Sequence, residues 1–202
     1  MGRFSLLNEQ FDQMIMVKDS IINITRHFAQ WKKDAEYEVG VVSPLINVNG
    51  YAYLRLLKKF NATAAYEKQF GRPRYYGRFQ PIEEDYRAAE FMWGADHHLP
   101  NIDEMNEACL EDEGKYTVIP VRLSIGCFVM DRNYWEKMNG FPVHRLASDF
   151  ARDEETVNQN ATILSQVMLM DESTVVGHLG FGNQTPKMTE FYHSNPELFK
   201  LK

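Results

Sequence analysis

The eight residues 38–45, EVGVVSPL, decide the class of fold. A short β-branched run without polar alternation, closed by a breaker, is the pattern of a strand buried on both faces, and such strands belong to sheets covered by helices. Pro44 is expected to end the strand, because proline lacks the amide donor that a ladder needs. Upstream, residues 20–33 bring Ile21, Ile24, Phe28 and Trp31 to one side of an amphipathic helix. Downstream, residues 51–60 and 62–70 read as two short helices, and residues 82–93 and 101–111 as two more. The acids that open the third suit the positive end of a helix dipole. Residues 116–123 and 125–130 are β-rich runs around Ser124, and Asn139-Gly140-Phe141-Pro142 stops the short helix that follows them. Residues 153–166 read as a helix, with residues 167–170 and 174–178 as short strands. Alternating strands and helices predict an α/β fold, a mixed sheet flanked by helices. No flexible tract divides the chain, so residues 1–202 read as one domain.

Composition narrows the function. With 22 Lys+Arg against 28 Asp+Glu the formal charge is −6, and eleven acids against one base, Arg87, fall within residues 82–113. That acidity argues against a nucleic-acid stripe. No apolar stretch matches a membrane helix, and the N-terminal residues lack the pattern of a signal peptide, so the expected location is cytoplasmic. Cys109 and Cys127 have no metal-binding spacing and read as buried thiols.

Three places carry groups suited to chemistry. Asp153-Glu154-Glu155 opens a helix, where carboxylates cap the backbone or, facing a pocket, take a proton from an attacking hydroxyl. His178 leaves a strand among Gly177, Gly180 and Gly182, placed to ligate a metal or to be a plain structural histidine. Asp19 follows the apolar run at residues 14–17 and by itself reads as a helix cap. A serine nucleophile at Ser124 is not supported, because the glycine-flanked elbow is missing.

Taken together, VGVVSPLINVNGY (39–51), YEKQFG (66–71), SIGCFVMDRNYWEKMNGFP (124–142) with Asp153–Glu155 after it, and VVGHLGFGNQ (175–184) resemble the later part of a GT-A-fold glycosyltransferase. The likeness is to the inverting, nucleotide-sugar-dependent enzymes of glycosyltransferase family 2, and it spans about residues 14–195. It implies a Rossmann-like sheet lacking the N-terminal nucleotide-binding part, the chain corresponding to the acceptor-binding, catalytic portion. It implies transfer of a sugar from a nucleotide-diphosphate donor to a hydroxyl acceptor, with Mn²⁺ or Mg²⁺ as cofactor. Carried over, Asp19 and His178 would hold the metal, Arg122, Ser124 and Gly126 would line the donor and acceptor pocket, and Asp153 or Glu154 would be the base. These groups are expected to face one cleft. Lys18-Asp19-Ser20 offers one carboxylate where the family usually has two or three. The alternative is therefore a catalytically inert descendant that binds or scaffolds, and a homo-oligomer is one possible partner arrangement. The missing strands should leave an edge or face of residues 38–45 to be covered by residues 4–17 or by a second copy.

Overall fold

The computed structural model describes residues 14–16, 19–48, 50–72, 85–119, 126–141, 152–179 and 185–199. Among these residues, five strands form one mixed sheet: β1 (Met14–Met16), β2 (Val39–Ile46), β3 (Tyr116–Val118), β4 (Val129–Met130) and β5 (Val167–His178). The path is β1-β5-β2-β4, with β2 and β5 parallel at its centre. β4 lies antiparallel on β2, while β3 and β1 both lie antiparallel along the outer side of β5, the first on Leu169–Asp171 and the second on Val176–His178. The helices are α1 (Ser20–Asp34), α2 (Gly50–Lys59), α3 (Thr63–Phe70), α4 (Tyr86–Met92), α5 (Ile102–Cys109), α6 (Arg132–Lys137), α7 (Arg152–Ile163) and α8 (Thr185–Ser194).

Every residue of β2 is buried, as its unbroken apolar run predicts. On one face, Val39, Val42, Leu169 and Val176 pack under Ile24 and Trp31 of α1. On the other, Val41, Leu45, Met168, Met170 and Val175 meet Leu56 and Leu57 of α2, Phe91 and Met92 of α4, and Ile102 and Met105 of α5. Each such side chain removed from water contributes about 1.5–3 kcal/mol before the entropy of ordering is subtracted.

Pro44 does not end the strand. β2 continues to Ile46, and the irregularity falls on its partner: Pro44 faces Asp171 while Leu45 faces Val175, so Glu172, Ser173 and Thr174 bulge out of β5. A proline has no amide hydrogen for a ladder, and a bulge is where a ladder tolerates that loss. The two short strands expected at 167–170 and 174–178 are thus one strand with a bulge. The runs 116–123 and 125–130 form shorter strands than expected, and residues 120–125 lie outside the described part. Ile21, placed inward by helical spacing, is 48% exposed, and buried His27 joins Ile24 and Trp31 on the inner face instead.

β5 runs along one side of β2, and β4 pairs with Val41 and Val42 on the other. Neither neighbour is the segment 4–17 expected to cover an edge of residues 38–45. Met14–Met16, the described part of the segment expected to cover it, pairs with β5.

Candidate functional site

The carboxyl end of the β2/β5 pair is built from groups far apart in the chain. β2 ends at Ile46, and the next residue, Asn47, is fully buried. Its backbone N–H donates to the Val176 carbonyl at 3.3 Å, its Nδ2 donates to the Met92 carbonyl at 3.3 Å, and its Oδ1 accepts the backbone N–H of His178 at 2.7 Å. Trp93 follows the last residue of α4, where Gly94 turns the chain at φ 87°. Its indole Nε1 donates to the His178 carbonyl at 3.1 Å. The ring lies so close to the strand that a Cβ on Gly177 would stand 2.1 Å from Trp93 Cη2. Only glycine fits there.

His178 itself is buried, and burial pushes its imidazole down to about 4. Near neutral pH the ring is therefore uncharged, the form that ligates metals. Asp19 is exposed, with φ 67°, and precedes α1 without capping it through its side chain. β1 runs antiparallel to β5, Met14 opposite His178 and Met16 opposite Val176, so the chain moves away from the His178 level before reaching Asp19. Asp153 and Glu154 occupy the first turn of α7, and their side chains lie outside the described part. Gly126 is exposed just ahead of β4, whereas Arg122 and Ser124 lie outside the described residues.

A second constellation sits at the β5 bulge. Asp171, with no exposed surface, accepts His27 Nδ1–H at 2.7 Å, the Ser173 backbone N–H at 2.9 Å, Ser173 Oγ–H at 2.7 Å and Thr174 Oγ1–H at 3.2 Å. A buried carboxylate is stable only when so surrounded. Trp31 stacks on the His27 ring at 5.2 Å, and Glu113, paired with Arg26 at 2.7 Å, stands 3.9 Å from His27 Nε2. Glu172 of the bulge accepts from Arg55 at 3.0 Å and from the Thr117 hydroxyl. The sequence signal for this cluster is a pair of acids, Asp171-Glu172, inside an otherwise apolar strand.

At the opposite end of the sheet a cleft of about 350 Å³ is lined by Lys32, Tyr37, Glu38, Asp131, Lys137 and Gln166. Its charges are paired, Lys32 with Asp131, and Glu38 with Gln166 and Lys137. Hydrogen bonding from Gln166, then Lys137, holds the Glu38 carboxyl below its ordinary value. Burial pushes Asp131 up, but Lys32 and the Tyr134 N–H outweigh it and hold it below.

Among the described residues no group of three or more His, Cys, Asp and Glu is placed to hold a metal ion, and no helix is long and apolar enough to cross a membrane. Compared with family models, curated proteins and solved structures, the chain matches none.

Proposed function

We propose that this chain is the catalytic portion of a nucleotide-sugar-dependent glycosyltransferase that moves a sugar from a nucleoside-diphosphate donor to a hydroxyl acceptor. The observation that supports this most is His178: a histidine kept neutral by burial, at the end of a central strand of an α/β sheet. Open sheets of this class bind ligands beyond the carboxyl ends of their parallel strands. A neutral imidazole and a carboxylate are donors that a divalent ion such as Mn²⁺ accepts, but buried His178 and exposed Asp19 do not stand together, so they do not form one metal site between them. A bound Mn²⁺ or Mg²⁺ would neutralise charge on the diphosphate leaving group.

In this reading Asp153 or Glu154 takes the proton of the acceptor hydroxyl. The acceptor oxygen bonds to the anomeric carbon as the bond from that carbon to the diphosphate oxygen breaks, and the nucleoside diphosphate leaves. Arg122, Ser124 and Gly126 would line the pocket that orients donor and acceptor.

Thermal unfolding of the chain with UDP, GDP or ADP, each with and without MnCl₂, tests the reading. A ligand at a hundred times its dissociation constant stabilises by about 2.7 kcal/mol, which raises the Tm of a chain of this size by roughly 5–10 °C. One diphosphate should do so in a Mn²⁺-dependent way. No shift with any of them, together with no release of diphosphate from the matching sugar donors, would favour the inert descendant over the enzyme.

A further inference from the structure

We infer that Tyr37 and Tyr116 form a site of oxidative cross-linking, a pair of phenols that a one-electron oxidant joins into dityrosine, stapling the edge strand β3 to the segment that leads into β2. The inference is independent of the glycosyltransferase reading. Tyr37 lies between the end of α1 at Asp34 and the start of β2 at Val39, and Tyr116 opens β3. Their hydroxyls hydrogen-bond to each other at 2.8 Å, although the two residues are 79 positions apart in the chain. The side chains are 38% and 40% exposed, so an oxidant in solution reaches both. Tyr53 and Tyr66 also meet, with ring centres at 5.8 Å, but both are buried. Contact and access coincide at the first pair and not at the second.

The packing holds the pair in place. The Tyr116 ring lies 5.0 Å from that of Trp31, which stacks on His27 at 5.2 Å, and His27 is bonded to the Asp171 carboxylate. The bond to Tyr116, and then burial, raise the Tyr37 phenol to about 12, so near neutral pH it keeps its proton until an electron is taken. Hydrogen peroxide, acting through a haem peroxidase, removes one electron and one phenolic proton from each ring and is itself reduced to two molecules of water. The two phenoxyl radicals, already side by side, bond through carbons ortho to their oxygens, and each ortho hydrogen moves to its ring oxygen and restores the phenol. The chain has then lost two hydrogen atoms and gained one carbon–carbon bond. β3 is three residues long and, among the described residues, pairs with β5 alone. Short edge strands are held by few bonds, so a covalent link has most to add there.

The test treats the full chain, as an equal mixture of ¹⁴N and ¹⁵N protein, with haem peroxidase and a stoichiometric amount of hydrogen peroxide, followed by digestion and mass spectrometry. The expected product is a peptide pair joined at Tyr37 and Tyr116, two hydrogens lighter than its parts, with the blue fluorescence of dityrosine and both halves from the same isotope. Tyr37→Phe and Tyr116→Phe each remove only a hydroxyl, and each should abolish this product while leaving a cooperative melt. Because the link closes a long loop in the unfolded chain, as a disulfide does, the cross-linked protein should melt roughly 10 °C above the untreated one. Absence of the joined peptide under conditions that couple free tyrosine overturns the site. So does its formation at equal yield in urea, which would assign it to chance encounter and not to the fold, or a predominance of mixed-isotope pairs, which would assign it to collisions between copies. A cross-linked chain that melts no higher overturns the staple.

Discussion

Asp171 shows what single residues do in this molecule and why they are hard to read from sequence. Its four donors come from the bulge next to it and from His27, which is 144 positions away in the chain. Local pattern announces an acid in a buried strand and nothing about the partner. The same holds for Asn47 and Trp93, whose roles depend on contacts 131 and 85 positions away. His178, by contrast, is legible as a strand-end histidine among glycines, and the structure supplies the reason for Gly177. Replacing Asp171 by Ala strands an imidazole N–H, two hydroxyls and a backbone N–H in a site without water contact. Leaving buried donors without an acceptor in this way costs about 1–3 kcal/mol each. Urea denaturation should show the midpoint falling with little change in slope. A loss below about 1 kcal/mol would mean that the cluster is not holding α1 to the bulge.

Among the elements, β2, α1, α3, α5 and α7 form within a few residues of where periodicity places them, because each is a continuous apolar or amphipathic run. The departures share one cause. Pro44, Tyr116–Val118 and Val129–Met130 take their lengths from the partner strand, and a partner is not visible in local sequence. Helix starts are more local. Asp131 accepts the Tyr134 N–H at 3.1 Å as the cap of α6 and also pairs with Lys32. Since the cap is worth about 1 kcal/mol and the half-exposed ion pair about 0–1, Asp131→Ala should lose roughly 1–2 kcal/mol. Asp131→Asn keeps an acceptor for the cap and loses only the full charge, so most of that stability should return. If Asn is as damaging as Ala in the same denaturation experiment, the Lys32 pair and not the cap governs this helix.

For the whole molecule, the groups that titrate away from their ordinary range set a pH window of stability. His178 is lowered by burial from 6.5 to about 4, so between those values the unfolded chain binds a proton that the folded chain refuses. Its contribution is complete above about pH 6.5 and is lost as pH falls toward 4, and 2.5 units correspond to about 3 kcal/mol. Glu38, Asp85, Asp112 and Asp131 are lowered carboxylates, whose contributions persist until pH falls through the carboxylate range. Glu90, raised by burial and then by Asp85 and Asp96, opposes His178 by favouring the folded state as acid is added. On the alkaline side burial pushes Cys109 to about 12 and Cys127 to about 11, so unfolded thiols ionise from about pH 9 while folded ones do not, and stability falls again. Urea unfolding in EDTA and reductant should therefore give a plateau from about pH 7 to 8.5, with an acid limb that begins near 6.5, well above where carboxylates alone would start it. In His178→Gln that limb should flatten between pH 6.5 and 5 while the fall below pH 4 remains. A wild type equally stable at pH 7 and pH 5, or a variant with the same acid slope, would show that the buried imidazole is not what ties this fold to pH.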